Sequence, residues 1–261
     1  RRQEDFINAY MNKGLEDEDD WEDYFLPKNG CPGPEVVEVT DNLVLIAINS
    51  QWWLSNWRQD PDINYDCDVK TREAFIFWFE EALRKHRNKN VVVTLHHPLY
   101  TYGPHGGNFT IKEHIFPLTE LEDNLFIPLP VLGTLGVFMR GIIGLRQDVA
   151  NPVYRELKEG LLGAAKKNGN FIFASGHEHT LQYIEQDEQF FIVSGAGSKR
   201  NPVTIGKGSQ FSSGSYGFAQ LDVYKDGTTW LTYWGAEKGK KGITRLYEKQ
   251  IKGKLPLATS F

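Results

Sequence analysis

Four of the seven histidines in this 261-residue chain follow two apolar runs, residues 90–95 and 171–174. Neutral imidazole is a common ligand for borderline transition metals. One histidine in such a place is more often structural, but two pairs are difficult to explain by packing alone. The pattern therefore indicates a metal site. The four residues are His96, His97, His177 and His179.

The second pair lies in the run Gly176-His177-Glu178-His179. Because its histidines are at i and i+2, an extended backbone would direct both imidazoles to the same side. The glycine lets the chain turn without a clash at Cβ. The spacing differs from that of helical zinc proteases, whose two histidines are at i and i+4. We therefore expect a site built on loops at strand ends.

The elements that position these histidines alternate between strands and helices, which predicts an α/β fold. The two apolar runs predict strands buried on both faces of a sheet, and ligands of such sheets collect at the carboxyl ends of the strands. Thr71 is the predicted N-cap of a helix to about residue 87, and Asn151-Pro152 opens another to about residue 168. We also predict a β-hairpin before these helices and an antiparallel meander after them. The further predicted strands are residues 36–39, 43–48, 181–185, 190–194, 217–224 and 229–233.

The helix after Thr71 should pack on the sheet through one apolar stripe. Residues 3–25 predict a helix broken by the acidic run at residues 16–20, to which we assign no chemistry. The predicted stripe consists of Phe75, Trp78, Phe79, Ala82 and Leu83.

Composition favours one large soluble domain. The chain is 40% hydrophobic and 24% charged, which excludes collagen, a coiled coil and global disorder. With 29 basic and 34 acidic residues the net charge is -5, so we expect no nucleic-acid partner. An anionic substrate would need a local source of positive charge such as a metal ion.

Two sequence blocks resemble those of the calcineurin-like metallophosphoesterases, in the form typical of purple-acid-phosphatase-like members. Residues 93–100, Val-Thr-Leu-His-His-Pro-Leu-Tyr, resemble the Val-x-x-His block, and residues 176–179 match the Gly-His-x-His block. Residues 191–197 and 217–219 resemble the strands that usually follow. The resemblance covers residues 35–235 and implies a β-sandwich flanked by helices, with an antiparallel carboxyl-terminal meander.

The resemblance also assigns roles to the histidines. It implies that His96 and His177 bind one metal ion together and that His179 binds a second. His105, nine residues after His96, would contact phosphate or protonate a leaving group. His97 would either contact substrate or hold a metal ligand in place. The implied chemistry is hydrolysis of a phosphoric ester by two ions (Fe, Zn or Mn) and a metal-bound hydroxide.

Three further blocks of the family are absent from the sequence. There is no Asp-x-His, no Gly-Asp and no Gly-Asn-His. The resemblance therefore implies that the chain is the carboxyl-terminal part of a longer phosphatase, with an incomplete domain. We expect the chain alone to bind metal weakly or not at all and to be inactive or very weakly active.

Two other functions remain open at this stage. The chain could be a non-catalytic surface module, with the aromatic residues of Gln51-Trp52-Trp53-Leu54 and Trp57 forming a platform for glycans or a protein partner. Packing in the core is the other explanation for these aromatic residues. The chain could also be a degenerate homologue that kept the fold and lost the site.

Residues 125–145 carry one charged residue, Arg140, but their prolines and glycines argue against a membrane span. This segment predicts either a buried or lid-like insertion or a lid that contacts a membrane surface or an apolar substrate. The expected substrate is accordingly a phosphorylated small molecule or a lipid-like compound.

Cys31 and Cys67 are the two cysteines. They are either unrelated thiols or one disulfide, which would stabilise by about 3–4 kcal/mol and imply an oxidising compartment. We expect an exported protein, although the chain contains no signal peptide. The expected organisation is an acidic, helical segment (1–34), the phosphoesterase-like domain (35–235) with an apolar insertion at about 118–150, and a carboxyl-terminal extension (236–261).

Overall fold

The chain forms two β-sheets that pack face to face, with helices on the other side of the larger sheet. The computed structural model describes residues 2–15, 21–55, 59, 61–116, 118, 125–237, 239 and 241–255. The strands are β1 (Glu35–Thr40), β2 (Leu43–Ala47), β3 (Asn90–Leu95), β4 (Ile172–Ser175), β5 (Leu181–Gln186), β6 (Gln189–Ser194), β7 (Ser209–Ser213), β8 (Tyr216–Val223), β9 (Thr229–Ala236) and β10 (Ile243–Lys252). The α-helices are α1 (Arg2–Met11), α2 (Ser50–Leu54), α3 (Pro61–Asn64), α4 (Arg72–His86), α5 (Ile111–Ile115), α6 (Pro130–Ile143) and α7 (Pro152–Asn168).

The larger sheet has seven strands in the order β1-β2-β3-β4-β6-β5-β7. Its four central strands, β2, β3, β4 and β6, are parallel, so their carboxyl ends lie at one edge. Leu95 at the end of β3 pairs with Ser175 at the end of β4. This register places the two histidine-bearing loops side by side.

The smaller sheet is antiparallel, in the order β10-β9-β8. Its inner face packs on the larger sheet through a cluster that includes Leu231, Tyr233, Ile172 and Tyr183. The opposite face of the larger sheet is covered by α2, α4 and α7. The predicted α/β fold, with a helix-flanked sheet and an antiparallel carboxyl-terminal part, is confirmed.

Helix α4 begins where the sequence predicts, because Thr71 Oγ1 accepts a hydrogen bond from Ala74 N at 3.2 Å. Phe75, Phe79 and Leu83 recur every four residues and are buried. The predicted stripe is wrong at Trp78, which is 53% exposed. Trp78 lies at the margin of the stripe, over an open groove between α4 and β1.

The amino-terminal helix is shorter than predicted and ends at Met11. The side chain of Asn12 then donates to the carbonyl oxygens of Asn8 and Glu22, which joins the helix end to the following segment. The acidic run at residues 16–20 lies outside the described residues.

Trp52 and Trp53 belong to the core and not to a surface platform, since both are buried against Phe75. The indole of Trp52 donates to Asn64 Oδ1 at 2.8 Å. Packing therefore explains these two aromatic residues, while Trp57 lies outside the described residues.

Cys31 and Cys67 form a disulfide, with 5.5 Å between their Cα atoms. The sequence is compatible with two unrelated thiols or with one disulfide, and the structure contains the disulfide. The bond joins the segment before β1 to the segment before α4.

Two strands, β7 and β10, were not predicted. Both are rich in polar residues, and β10 is mostly exposed, so neither carries the apolar pattern that reveals a strand. Strand β10 pairs along its length with β9. The division that the sequence suggests at residue 236 therefore does not coincide with the edge of the smaller sheet.

Candidate metal and active site

The ends of β3 and β4 bring two histidines into contact. Gly176 N donates to His96 O at 3.2 Å, which ties the two loops together at the backbone. His96 Nε2 and His177 Nδ1 lie 3.1 Å apart. The pair that the sequence places 81 residues apart is thus adjacent in space.

His97 approaches the same point from the core. It is fully buried, and its Nδ1 lies 2.8 Å from the hydroxyl of Ser50 at the start of α2. The ring of Tyr154 stands perpendicular to it, 6.0 Å away. Nitrogen atoms of His96, His97 and His177 all lie within 4.8 Å of one another.

His177 has a left-handed backbone with φ of +58°, which is uncommon for residues other than glycine. The prediction that His177 and His179 point to one side assumes an extended backbone, and that assumption does not hold here. The left-handed residue directs the His177 ring to His96 and His97, whereas His179 is not part of that three-histidine group.

Burial keeps these imidazoles neutral. It lowers the pKa of His97 to about 2 and that of His177 to about 3, with a smaller contribution from the neighbouring histidines. Partial desolvation of the ring also lowers the pKa of His96, although the residue is exposed overall, and that of half-buried His179. Neutral imidazole is the form that binds a metal.

The histidines fit a transition-metal ion. Among the described residues, His97 Nε2, His177 Nε2 and His179 Nδ1 are buried side-chain nitrogens that have no hydrogen-bond partner. A buried polar atom without a partner is costly, and binding of a metal ion is one way for a histidine nitrogen to avoid that cost. Imidazole donors suit Zn, Cu, Fe and Ni.

His105 completes the group of imidazoles. It lies in the short 3₁₀ helix Pro104–Gly106, and its ring centre is 4.1 Å from that of His177. Its Nδ1 is 2.8 Å from Asp148 Oδ1, and its carbonyl oxygen accepts a hydrogen bond from Val149 N. The Asp148 carboxylate is buried and also accepts a hydrogen bond from Leu145 N at 2.8 Å.

Asp148 was not among the site residues predicted from the sequence. One signal could have found it, because Asp148 is the sole acidic residue between residues 125 and 155. A carboxylate that binds Nδ1 of an imidazole fixes the ring orientation and leaves Nε2 for chemistry.

Glu178, inside the Gly-His-x-His block, is a second residue that sequence reasoning missed. Its carboxylate is fully buried and accepts hydrogen bonds from His105 N at 3.0 Å and Thr101 Oγ1 at 3.3 Å. Gly103 passes so close that a Cβ there would lie 2.4 Å from the carboxyl carbon of Glu178. Glu178 therefore joins the loop of His105 to the loop of His177, and burial raises the pKa of its carboxyl group.

A cavity of 840 Å³ lies beside the histidines, at the carboxyl ends of the parallel strands. Small residues of the sheet, including Ala47, Thr94 and Ser194, form its floor, and exposed His96 is part of its wall. A cavity of this size can hold a small organic phosphate.

The apolar segment, residues 125–145, lies between His105 and Asp148 in the sequence and ends three residues before Asp148. Helix α6 packs on α5 and leaves large apolar side chains exposed, with Val131, Leu132, Leu135 and Phe138 between 56% and 78% exposed. Among the described residues no helix combines the length and the apolar character that crossing a bilayer requires.

Comparison with known proteins finds similarity both in sequence and in structure. No protein-family model matches the chain. The sequence is 43% identical over 58 residues to purple acid phosphatase 17 of Arabidopsis thaliana, a stretch that makes up 20% of this chain and 17% of that protein. The predicted resemblance to purple-acid-phosphatase-like proteins is confirmed by this match.

The two similar structures have low sequence identity. One is GAP50, described as the anchor in the inner membrane complex of Plasmodium, with a TM-score of 0.42, 16% identity, and coverage of 84% of this chain and 54% of that one. The other is PhoD, with a TM-score of 0.45, 10% identity, and coverage of 85% and 45%. The chain thus spans about half the length of these structures.

Proposed function

We propose that this chain carries the histidine-bearing part of a metal-dependent phosphoester hydrolase of the purple-acid-phosphatase kind. The observation that supports the proposal most strongly is the meeting of four imidazoles at the ends of β3 and β4, beside a cavity of 840 Å³. Two of these four histidines, His97 and His177, and the nearby His179 each have a buried ring nitrogen without a hydrogen-bond partner among the described residues, as a metal ligand would.

In this proposal His96 and His177 hold one ion, and His179 contributes to a second. Bound ions would neutralise the phosphoryl oxygens and make a nucleophile available from water near neutral pH. Because the Asp-x-His, Gly-Asp and Gly-Asn-His blocks are absent, we propose that the remaining ligands come from outside the 261 residues.

His105 is the proposed general acid. Asp148 accepts a hydrogen bond from Nδ1–H of His105, which leaves Nε2 to exchange a proton with the leaving-group oxygen. Glu178 holds the backbone of the same loop. His105 is thereby fixed in position by two buried carboxylates.

The proposed substrate class is a phosphorylated small molecule or a lipid-like phosphoester, and the exposed apolar side chains of α6 support the second. We also propose that the protein is exported, since the Cys31–Cys67 disulfide requires an oxidising compartment to persist.

The test is hydrolysis of para-nitrophenyl phosphate with added Zn²⁺, Mn²⁺ or Fe³⁺, using the native polypeptide with any residues that precede the 261, and the 261-residue chain. The proposal expects metal-dependent hydrolysis by the native polypeptide. It expects Asp148→Asn and His105→Asn to lower kcat by about 10²–10⁴-fold, while His86→Gln, at the distant end of α4, leaves it unchanged. No hydrolysis in any form that binds metal would instead support a non-catalytic module.

A further inference from the structure

We propose that His97 is a direct metal ligand and that His96, His97 and His177 form a three-imidazole site for one transition-metal ion within this chain. The family resemblance assigns His96, His177 and His179 to two ions and gives His97 no such role. The inference deepens the proposed function, since it concerns the same site, but its test requires no substrate.

The distances support one shared ion. Zinc binds imidazole nitrogen at about 2.0–2.1 Å, which places the ligands of a tetrahedral site about 3.4 Å apart. His96 Nε2 and His177 Nδ1 are 3.1 Å apart, and the ligand nitrogens of the three residues all lie within 4.8 Å of one another. Three donor nitrogens this close together can converge on one ion.

The hydrogen bonds around His97 orient it as a ligand. Ser50 Oγ accepts a hydrogen bond from His97 N at 3.2 Å and lies 2.8 Å from His97 Nδ1. When Nδ1–H also donates to this oxygen, Nε2 carries a lone pair, in the arrangement that is usual for metal-binding histidine. That Nε2 is buried and has no partner among the described residues.

A structural role for His97 explains less. A histidine that only fills the core would turn both ring nitrogens to partners, as buried polar groups do. Here one nitrogen is held by Ser50, and the other end of the ring lies against His177, with ring centres 4.4 Å apart. Three imidazoles with an open fourth position are typical of zinc sites that bind exogenous ligands.

The experiment is titration of the purified 261-residue chain with Co²⁺, followed by its visible absorption, with Zn²⁺ in competition. The proposal expects one ion per chain, in place of the weak or absent binding that the sequence predicts for the chain alone, because three histidines lie together. His97→Gln keeps a side chain of similar size beside Ser50 and should weaken binding by more than about 100-fold, beyond the 10–100-fold typical of residues that only support a ligand. His86→Gln removes another buried histidine and should bind as the wild type does.

A second measurement uses the wild type and so does not depend on the folding of a variant. In the ¹⁵N spectrum of histidine-labelled protein, Zn²⁺ should shift three imidazoles, whereas a count of two would overturn the proposal. Wild-type affinity in His97→Gln would overturn it equally. Three ligated imidazoles in a native polypeptide that hydrolyses no phosphoester would refute the proposed function and leave this inference standing. Hydrolysis by a native polypeptide with only two ligated imidazoles would refute this inference and leave the proposed function standing.

Discussion

Two buried carboxylates determine where His105 sits. Asp148 binds the ring at Nδ1, and Glu178 binds the backbone nitrogen. The two acids come from different parts of the chain, since Asp148 follows α6 and Glu178 follows β4. Each holds a different part of the same residue, so neither can replace the other.

At this scale we predict that Gly103→Ala destabilises the protein by about 1–3 kcal/mol. A Cβ at residue 103 would lie 2.4 Å from the carboxyl carbon of Glu178, so the carboxylate would have to leave its donors. Urea unfolding measures the change. Gly197→Ala is the control, because its Cβ would meet nothing within 4 Å, and equal stability of the two variants would refute the explanation.

Some of the site residues could be predicted from the sequence and others could not. The clusters around His96 and His177 stand next to apolar strands, so their meeting followed from the parallel order of β3 and β4. The role of Asp148 did not follow, because its partner is 43 residues away and no local pattern links them. The direction of the His179 side chain could not be predicted from the sequence either, since it depends on the left-handed backbone at His177.

At the scale of elements, apolar periodicity and capping residues located the central strands and both long helices. Thr71 and Asn151 cap α4 and α7 as predicted. The polar strands β7 and β10 were missed because their residues are stabilised by pairing with a neighbour and not by burial of an apolar face.

We predict that the Cys31–Cys67 disulfide contributes to the free energy of unfolding. It closes a loop with a sequence separation of 36 residues, which contains β1, β2, α2 and α3. Loop-closure entropy gives a stabilisation of about 4 kcal/mol for this length. The double variant Cys31→Ala/Cys67→Ala should lose that amount in urea unfolding, and reduction of the wild type should have the same effect. Unchanged stability after complete reduction would exclude this contribution.

At the scale of the whole molecule, a half-buried lysine, Lys252, makes stability depend on pH. Burial lowers the pKa of Lys252 to about 8, against an ordinary value of 10.5, although its Nζ donates to Asn170 O at 2.7 Å. Below pH 8 both states hold the proton and the folded state carries the full cost of the buried charge. Between pH 8 and 10.5 the unfolded state binds more protons, so stability rises with pH.

Lys252→Met should therefore be more stable than the wild type at pH 7, by at most about 3 kcal/mol, and this advantage should shrink toward pH 10. Urea unfolding at both values measures the difference. Lys225→Met, a change at an exposed lysine, is the control and should show no such trend. An advantage for Lys252→Met that is independent of pH would contradict the assignment.

The outer surface carries the last prediction. The exposed face of α6 is apolar, so we expect the protein to float with phosphatidylcholine vesicles, and we expect salt to have little effect on this binding. The triple variant Leu132→Ser/Leu135→Ser/Phe138→Ser should stay in solution. Phe77→Ser, which removes an exposed aromatic residue from α4, should bind as the wild type does. A wild-type protein that remains in solution would refute contact with a membrane.

The central claim is that the histidines at the ends of β3 and β4 hold a metal ion. The most direct test is elemental mass spectrometry of the 261-residue chain after equilibration with Zn²⁺, for the wild type and His177→Ala. Our account predicts about one ion per wild-type chain and none in the variant. A metal-free wild type, or equal metal content in the two proteins, would contradict it.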